Sequence, residues 1–123
     1  MTGIKTPAQI VEEYERAWLN KDLDTAMSYV ADDIVCEAPG GMIEGLAAYR
    51  KFLDDFLPIL TKATIIKVLG DDTSAAAVYV IDTKLVAGIQ AADYATVENG
   101  KITHVRTVFD RLPLTQARRG DQN

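Results

Sequence analysis

Within the stretch AADYATVENGKITHVRTVFD, residues 91–110, a carboxyl group stands among small and branched apolar side chains. The stretch reads as a β-hairpin about Asn99-Gly100, and Ala91, Asp93, Ala95 and Val97 share one face of its first arm. What Asp93 can do there depends on the turn. A two-residue loop pairs Glu98 with Lys101, sets Asp93 opposite Arg106 and puts His104 on the same face. Asp93 is then an ion-pair partner. A three-residue loop with Gly100 in a left-handed bulge pairs Val97 with Lys101 and sets Asp93 opposite Val105, beside Thr103, Thr107 and Phe109. Asp93 is then a carboxyl in an apolar pocket, where desolvation favours its neutral form. The E-N-G-K turn suits a type I turn with a glycine bulge, the second arrangement.

The elements that must position this group change period halfway along the chain. Thr6-Pro7 reads as an N-cap and first helical residue. Ile10, Val11, Tyr14, Ala17 and Trp18 then fall on one helical stripe, with Glu12, Glu13, Glu15 and Arg16 mostly opposite. After a break at residues 20–22, a short helix is expected over residues 23–30, a turn at Asp32-Asp33, and a strand IVCEA stopped by Pro39-Gly40-Gly41. Gly45 precedes a third helix with Leu46, Tyr49, Leu53 and Phe56 on one face, disrupted near Pro58. Residues 62–70, 74–84, 88–98 and 101–112 read as four strands, and TQARRGDQN as a frayed or disordered tail. Helices first and consecutive strands afterwards give an α+β class: helices on one face of a curved, mainly antiparallel sheet.

The totals narrow the function classes. A chain of 123 residues, 48% hydrophobic and 25% charged, suits one soluble domain with one core. No apolar run reaches the roughly 20 residues that span a bilayer, and MTGIKTPAQ lacks a signal-peptide core. One cysteine, Cys36, leaves no internal disulfide and makes the cytoplasm the expected compartment. With one histidine beside it, a zinc site of nitrogen and sulfur ligands is not expected, and Asp32-Asp33 and Asp71-Asp72 read as turn formers. The net charge of -5 argues against nucleic acid.

The segment YERAWLNKDLDTAMSYVADDIVCEAPGG, the Gly-headed helix after it and the closing ENGKITHVRTVFDR resemble the nuclear transport factor 2-like superfamily. The nearest likeness is to its SnoaL-like and ketosteroid isomerase-like group. It spans about residues 7–113 of a single domain over residues 1–123, leaving a flexible tail at residues 114–123. The resemblance implies a cone, a cystatin-like roll of curved antiparallel sheet around the first helix, with a cavity opening toward the helices. It implies a cavity wall of Tyr14 and Trp18, Cys36 and Ala38, Val78, Val80 and Asp82, Asp93 and Ala95, and Val105, Thr107 and Phe109. It also implies a homodimer through the convex sheet face, where Ile102, His104, Arg106 and Val108 would lie.

Roles follow by the same likeness. Ketosteroid isomerase pairs a tyrosine with a protonated aspartic acid to bind a developing oxyanion, and Tyr14 and Asp93 resemble those donors. The general-base aspartate of that enzyme is replaced by Ala38, and Glu37 beside it points to the other face. Limonene epoxide hydrolase relatives use an arginine, an aspartate and a second aspartate; Asp82 resembles the first aspartate, while Val80 and Thr107 stand at the other two positions. Neither reaction is expected by its familiar route. The implied function is a cavity for a small, mostly apolar organic ligand, with acid-assisted isomerisation, cyclisation or hydration by Tyr14, Asp93 and Asp82, and without a cofactor or metal. The alternative is a non-catalytic ligand-binding or dimerisation domain. Cys36, with no basic neighbour, reads as an inert buried thiol.

Overall fold

The computed structural model describes residues 5–121. Helix α1 (Pro7–Leu19) starts at a reciprocal capping box, in which Thr6 accepts from the Gln9 amide and the Gln9 side chain accepts from the Thr6 amide. Helix α2 (Leu23–Met27) is capped by the Asp22 carboxylate and ends three residues earlier than its sequence suggests, because Val30 already begins strand β1 (Val30–Ala38). Strand β2 (Gly41–Glu44) folds back on β1 with Ala38 opposite Gly41, so the Pro39-Gly40-Gly41 stop is a hairpin turn rather than the end of the sheet. Helix α3 (Leu46–Phe56) continues into a 3-10 turn at Leu57–Ile59, with Pro58 at the junction.

Strands β3 (Leu60–Gly70), β4 (Ser74–Thr83), β5 (Ile89–Glu98) and β6 (Lys101–Phe109) match the four expected strands to within a few residues. The six-stranded sheet runs β2-β1-β6-β5-β4-β3, antiparallel throughout except for the parallel β1–β6 pair. Its concave face holds α1, whose Ile10, Val11, Tyr14 and Trp18 are buried with Ile34, Tyr79 and Val105. Where a frayed tail was expected, residues Leu112–Asp121 form helix α4, anchored by the buried Leu114. Residues 122 and 123 lie outside the described residues.

The β5–β6 turn combines parts of both expected arrangements. Glu98 pairs with Lys101, and Asn99 and Gly100 both have positive φ, as a two-residue type I′ loop requires. The bulge lies further along: Val97 pairs with Ile102 and Thr96 with His104, leaving Thr103 as the extra residue. Asp93 therefore sits opposite Thr107, neither Arg106 nor Val105, with Val105 and Phe109 on the same face.

Strand β4 shows the opposite phase from that implied by the family likeness. Its ladder pairs Ala77 with Asp93 and Tyr79 with Ala91, and directly paired residues project to the same side of a sheet. With Asp93 inward, Ala75, Ala77, Tyr79 and Ile81 are inward too. Val78, Val80 and Asp82 fall on the convex face, where the Asp82 carboxylate accepts the Gly88 amide at 2.8 Å. They cannot line the cavity. Both faces of β4 are apolar in sequence, so alternation alone could not choose between them. Ala77→Leu should cost about 1–3 kcal/mol by overpacking beneath α1, whereas Val78→Leu should stay within about 0.5 kcal/mol of wild type. Urea unfolding of the two variants measures the difference.

Candidate functional site

A cavity of about 90 Å³ opens between α1, α3 and the concave sheet face. Trp18 from α1, Tyr49, Phe52 and Phe56 from α3, Tyr79 from β4 and Phe109 from β6 form its walls, with Leu53, Ile81 and Ala91 between them. Among the described residues, the side chains of that wall that carry polar groups are Asp93, Thr107, Tyr49, Tyr79 and Trp18. The volume is well under the roughly 300–1,000 Å³ of a drug-sized site. Such a space suits a molecule of about one ring, not a four-ring steroid.

Asp93 is 4% exposed, and both of its carboxylate oxygens accept from the Tyr79 hydroxyl at 3.1 Å. Its other neighbour is a second carboxyl that the helical pattern had assigned to the solvent side. Glu15 is fully buried. Its Oε1 accepts the Trp18 indole N–H at 3.2 Å, while Oε2 is buried without a hydrogen-bond partner among the described residues. Burial pushes the Glu15 carboxyl well above the usual carboxylate range, and the neighbouring Asp93 charge pushes it further. Burial thus favours the protonated form of Glu15. Spacing could have exposed it: Glu15 is four residues after Val11 and three before Trp18, both buried.

The tyrosines form a second layer. The Tyr14 and Tyr49 hydroxyls are hydrogen-bonded to each other, and their rings stack at 6.4 Å between centroids. Burial raises Tyr14, Tyr49 and Tyr79 well above the ordinary phenol value, so all three are neutral donors at physiological pH. Either hydroxyl can be the donor in that pair. Tyr14 lies outside the cavity lining and touches it through Tyr49.

Of the other expected wall residues, Trp18, Asp93, Thr107 and Phe109 do line the cavity. Cys36, Ala95 and Val105 are buried on the same concave face but belong to the packed core away from the opening. Ala38 is half-buried at the β1–β2 turn. Cys36 is desolvated and its thiol is pushed up to about 12, which removes the thiolate needed for nucleophilic work. Among the described residues no group of three His, Cys, Asp or Glu side chains could hold a metal ion. His104 lies outside, where its Nε2 is 2.8 Å from the Glu37 carboxylate that also accepts from Arg106 at 2.9 Å. The hydrogen bond from Arg106 holds Glu37 below the usual carboxylate range.

The same convex face carries in-register apolar rows. Val78, Ala92 and Val108 adjoin across three strands, next to Ala76, Tyr94 and Arg106. Val78, Tyr94 and Val108 are 44%, 51% and 54% exposed. Among the described residues no helix is long and apolar enough to cross a membrane.

The model of the SnoaL-like domain family matches residues 11–105. No curated protein matches the sequence. Among solved structures, a protein from Kribbella flavida DSM 17836 is 40% identical with a TM-score of 0.92, covering 95% of this chain and 97% of that one. An NTF2-like protein from Cytophaga hutchinsonii ATCC 33406 is 22% identical with a TM-score of 0.78, covering 94% of this chain and 99% of its own. A second Kribbella flavida DSM 17836 protein, provisionally called a ketosteroid isomerase, is 19% identical with a TM-score of 0.75, covering 82% of this chain and 75% of its own. The last two likenesses are of fold alone.

Glu15 carries the clearest pH signature. A carboxyl whose folded value is raised stabilises the fold most below its unfolded value, about 4.3, and that contribution is lost as pH rises through the folded value. Glu15→Gln removes the ionisable group but keeps the shape. Its melting temperature should match wild type near pH 4 and exceed it increasingly toward pH 8, as thermal unfolding followed by circular dichroism would show.

Proposed function

Because the chain belongs to the SnoaL-like domain family of the nuclear transport factor 2-like superfamily, we propose that it binds a small, mostly apolar organic molecule in the cavity between α1, α3 and the sheet. One oxygen of that molecule meets the Tyr49 hydroxyl, and the carboxyl pair moves a proton on it, the basis of an acid-assisted isomerisation, cyclisation or hydration. One observation carries the reading. Asp93, Thr107, Tyr49 and Tyr79 line an otherwise apolar cavity whose walls, among the described residues, hold no lysine, arginine or histidine.

The chemistry follows from the dielectric. In a dry site a hydroxyl aimed at a developing oxyanion is worth far more than the same group in water. Tyr49 supplies that donor, and Tyr14 holds its rotor. Asp93, oriented by Tyr79, is the group that exchanges a proton with the substrate. Ala38 supplies no base, so the steroid route of the isomerase relatives does not transfer.

Cyclohexanone is a suitable single-ring probe, and methylenecyclohexane is its carbon isostere. Trp18, the only tryptophan, lines the cavity and reports binding by fluorescence. Tyr49→Phe should weaken cyclohexanone by about 5- to 10-fold, the worth of one hydrogen bond, and leave methylenecyclohexane unchanged. In deuterium oxide the wild type should speed exchange at the carbons beside the carbonyl, and Asp93→Asn should abolish that gain. Binding without exchange would leave the non-catalytic alternative standing.

The convex rows support a homodimer, with Val78, Tyr94 and Val108 of one copy facing those of another about a two-fold axis. Val108→Glu should convert a dimer into a monomer in sedimentation equilibrium without changing the melting temperature of the subunit fold. A wild-type monomer would end that reading.

A further inference from the structure

The cavity gathers an unusual share of the chain's aromatic rings. All three phenylalanines, Phe52, Phe56 and Phe109, the single tryptophan, Trp18, and the tyrosines Tyr49 and Tyr79 line it. Their packing is mixed. Trp18 meets Phe56 and Tyr79 edge to face at 6.5 and 6.1 Å, while Tyr49 and Phe52 stack at 6.4 Å. Within this ring of π-systems stands Asp93, with Glu15 beside it. No cationic side chain answers them: among the described residues, every ion pair lies at the surface and none includes Asp93 or Glu15.

A buried negative charge without a counter-charge is costly, and proteins neutralise such charges with a proton, a metal or a paired cation. The Tyr79 hydroxyl donates to both Asp93 oxygens but brings no positive charge to them. Aromatic faces add negative electrostatic potential rather than relief. The two features together suit a guest with diffuse positive charge, weakly hydrated enough to leave water and able to meet ring faces and a carboxylate at once.

We propose that the ligand of this cavity is a small organic monocation, with a tertiary or quaternary ammonium centre held among Trp18, Tyr79 and Phe109 against the Asp93 carboxylate. The proposal rests on the cavity-binding function above and names the charge of its guest. Tyr49 then takes the ligand's oxygen, if the ammonium carries one, at the far side of the cavity. A bare metal ion is not the guest, because the wall offers one carboxylate and no other charged donor.

Choline and the neutral alcohol with a tert-butyl group in place of the trimethylammonium have nearly the same shape, so their comparison isolates the charge. Titrations of the intact protein, followed by Trp18 fluorescence and calorimetry, should show choline binding at least about tenfold more tightly. Asp93→Asn should shrink that ratio toward one while the alcohol keeps its affinity, and Trp18→Leu should weaken choline more than the alcohol. If the alcohol binds as tightly as choline to the wild type, the ammonium assignment is overturned while the cavity-binding function survives. If neither binds but cyclohexanone does, the assignment is likewise overturned. If none of the three binds, the cavity-binding function fails and takes this assignment with it.

Discussion

The burial of two carboxyl groups beside each other in an apolar interior, with no ion pair to either among the described residues, governs how the rest of the structure is arranged. Desolvation disfavours the ionised form of Glu15 and holds its carboxyl well above the usual carboxylate range. The neutral phenols of Tyr14, Tyr49 and Tyr79 lie in the same buried region, and Tyr79 donates to both Asp93 oxygens. Trp18 serves twice, donating its indole N–H to Glu15 and presenting its ring to the cavity. These groups cannot be treated as independent. Removing one oxygen acceptor leaves a donor unpaired in a dry place, at a penalty of about 1–3 kcal/mol.

Such a cluster is possible only if the backbone places every member on one side of the sheet. Side chains alternate with a period of two, so a slip of one residue anywhere in β4, β5 or β6 would carry its whole inner set to the solvent. The type I′ loop at Asn99-Gly100 sets the first pair of the last hairpin, and the extra residue at Thr103 resets the ladder. Thr107 then faces Asp93 and Phe109 faces Ala91. The bulge is therefore part of the site, although Thr103 is not in the cavity wall. A second irregularity at Ile66, between the Ile65–Tyr79 and Lys67–Val78 pairs, adds to the curvature that wraps the sheet about α1.

The class, the order of α1 to α3 and of the last four strands, and the inward direction of Asp93 were legible because they rest on strong local signals: helical stripes, a capped start, and an Asn-Gly turn between alternating arms. The bulge at Thr103 was not, because nothing in KITHV marks an extra residue. It accompanies the bending of the curved, open sheet around α1. The phase of β4 was hidden by its two apolar faces. Ala75 and Ala77 face α1 because a helix approaches closely there, while the larger Val78 and Val80 take the open side. Glu15 was misplaced for a different reason. A charged residue on a helix is usually solvated, and only its spacing from Val11 and Trp18 spoke against that. Tyr49 was legible as a core residue and not as a donor, since a hydroxyl's partner lies on another element, and Tyr79 was hidden together with the phase of β4.

The position of Glu15 also bears on the missing base. In the isomerase relatives that the sequence resembles, the proton-moving carboxylate comes from the end of the first strand. Here that position is Ala38, half-buried at a hairpin turn and outside the cavity wall. The second carboxyl is supplied instead by α1, behind the cavity, where water is excluded. A base at a strand end can take a proton from a substrate lying along the sheet. Under the proposed function, a buried acid behind Asp93 meets no substrate atom itself. Relocating the second carboxyl thus changes its task from direct attack on substrate to support of the one carboxyl that lines the cavity.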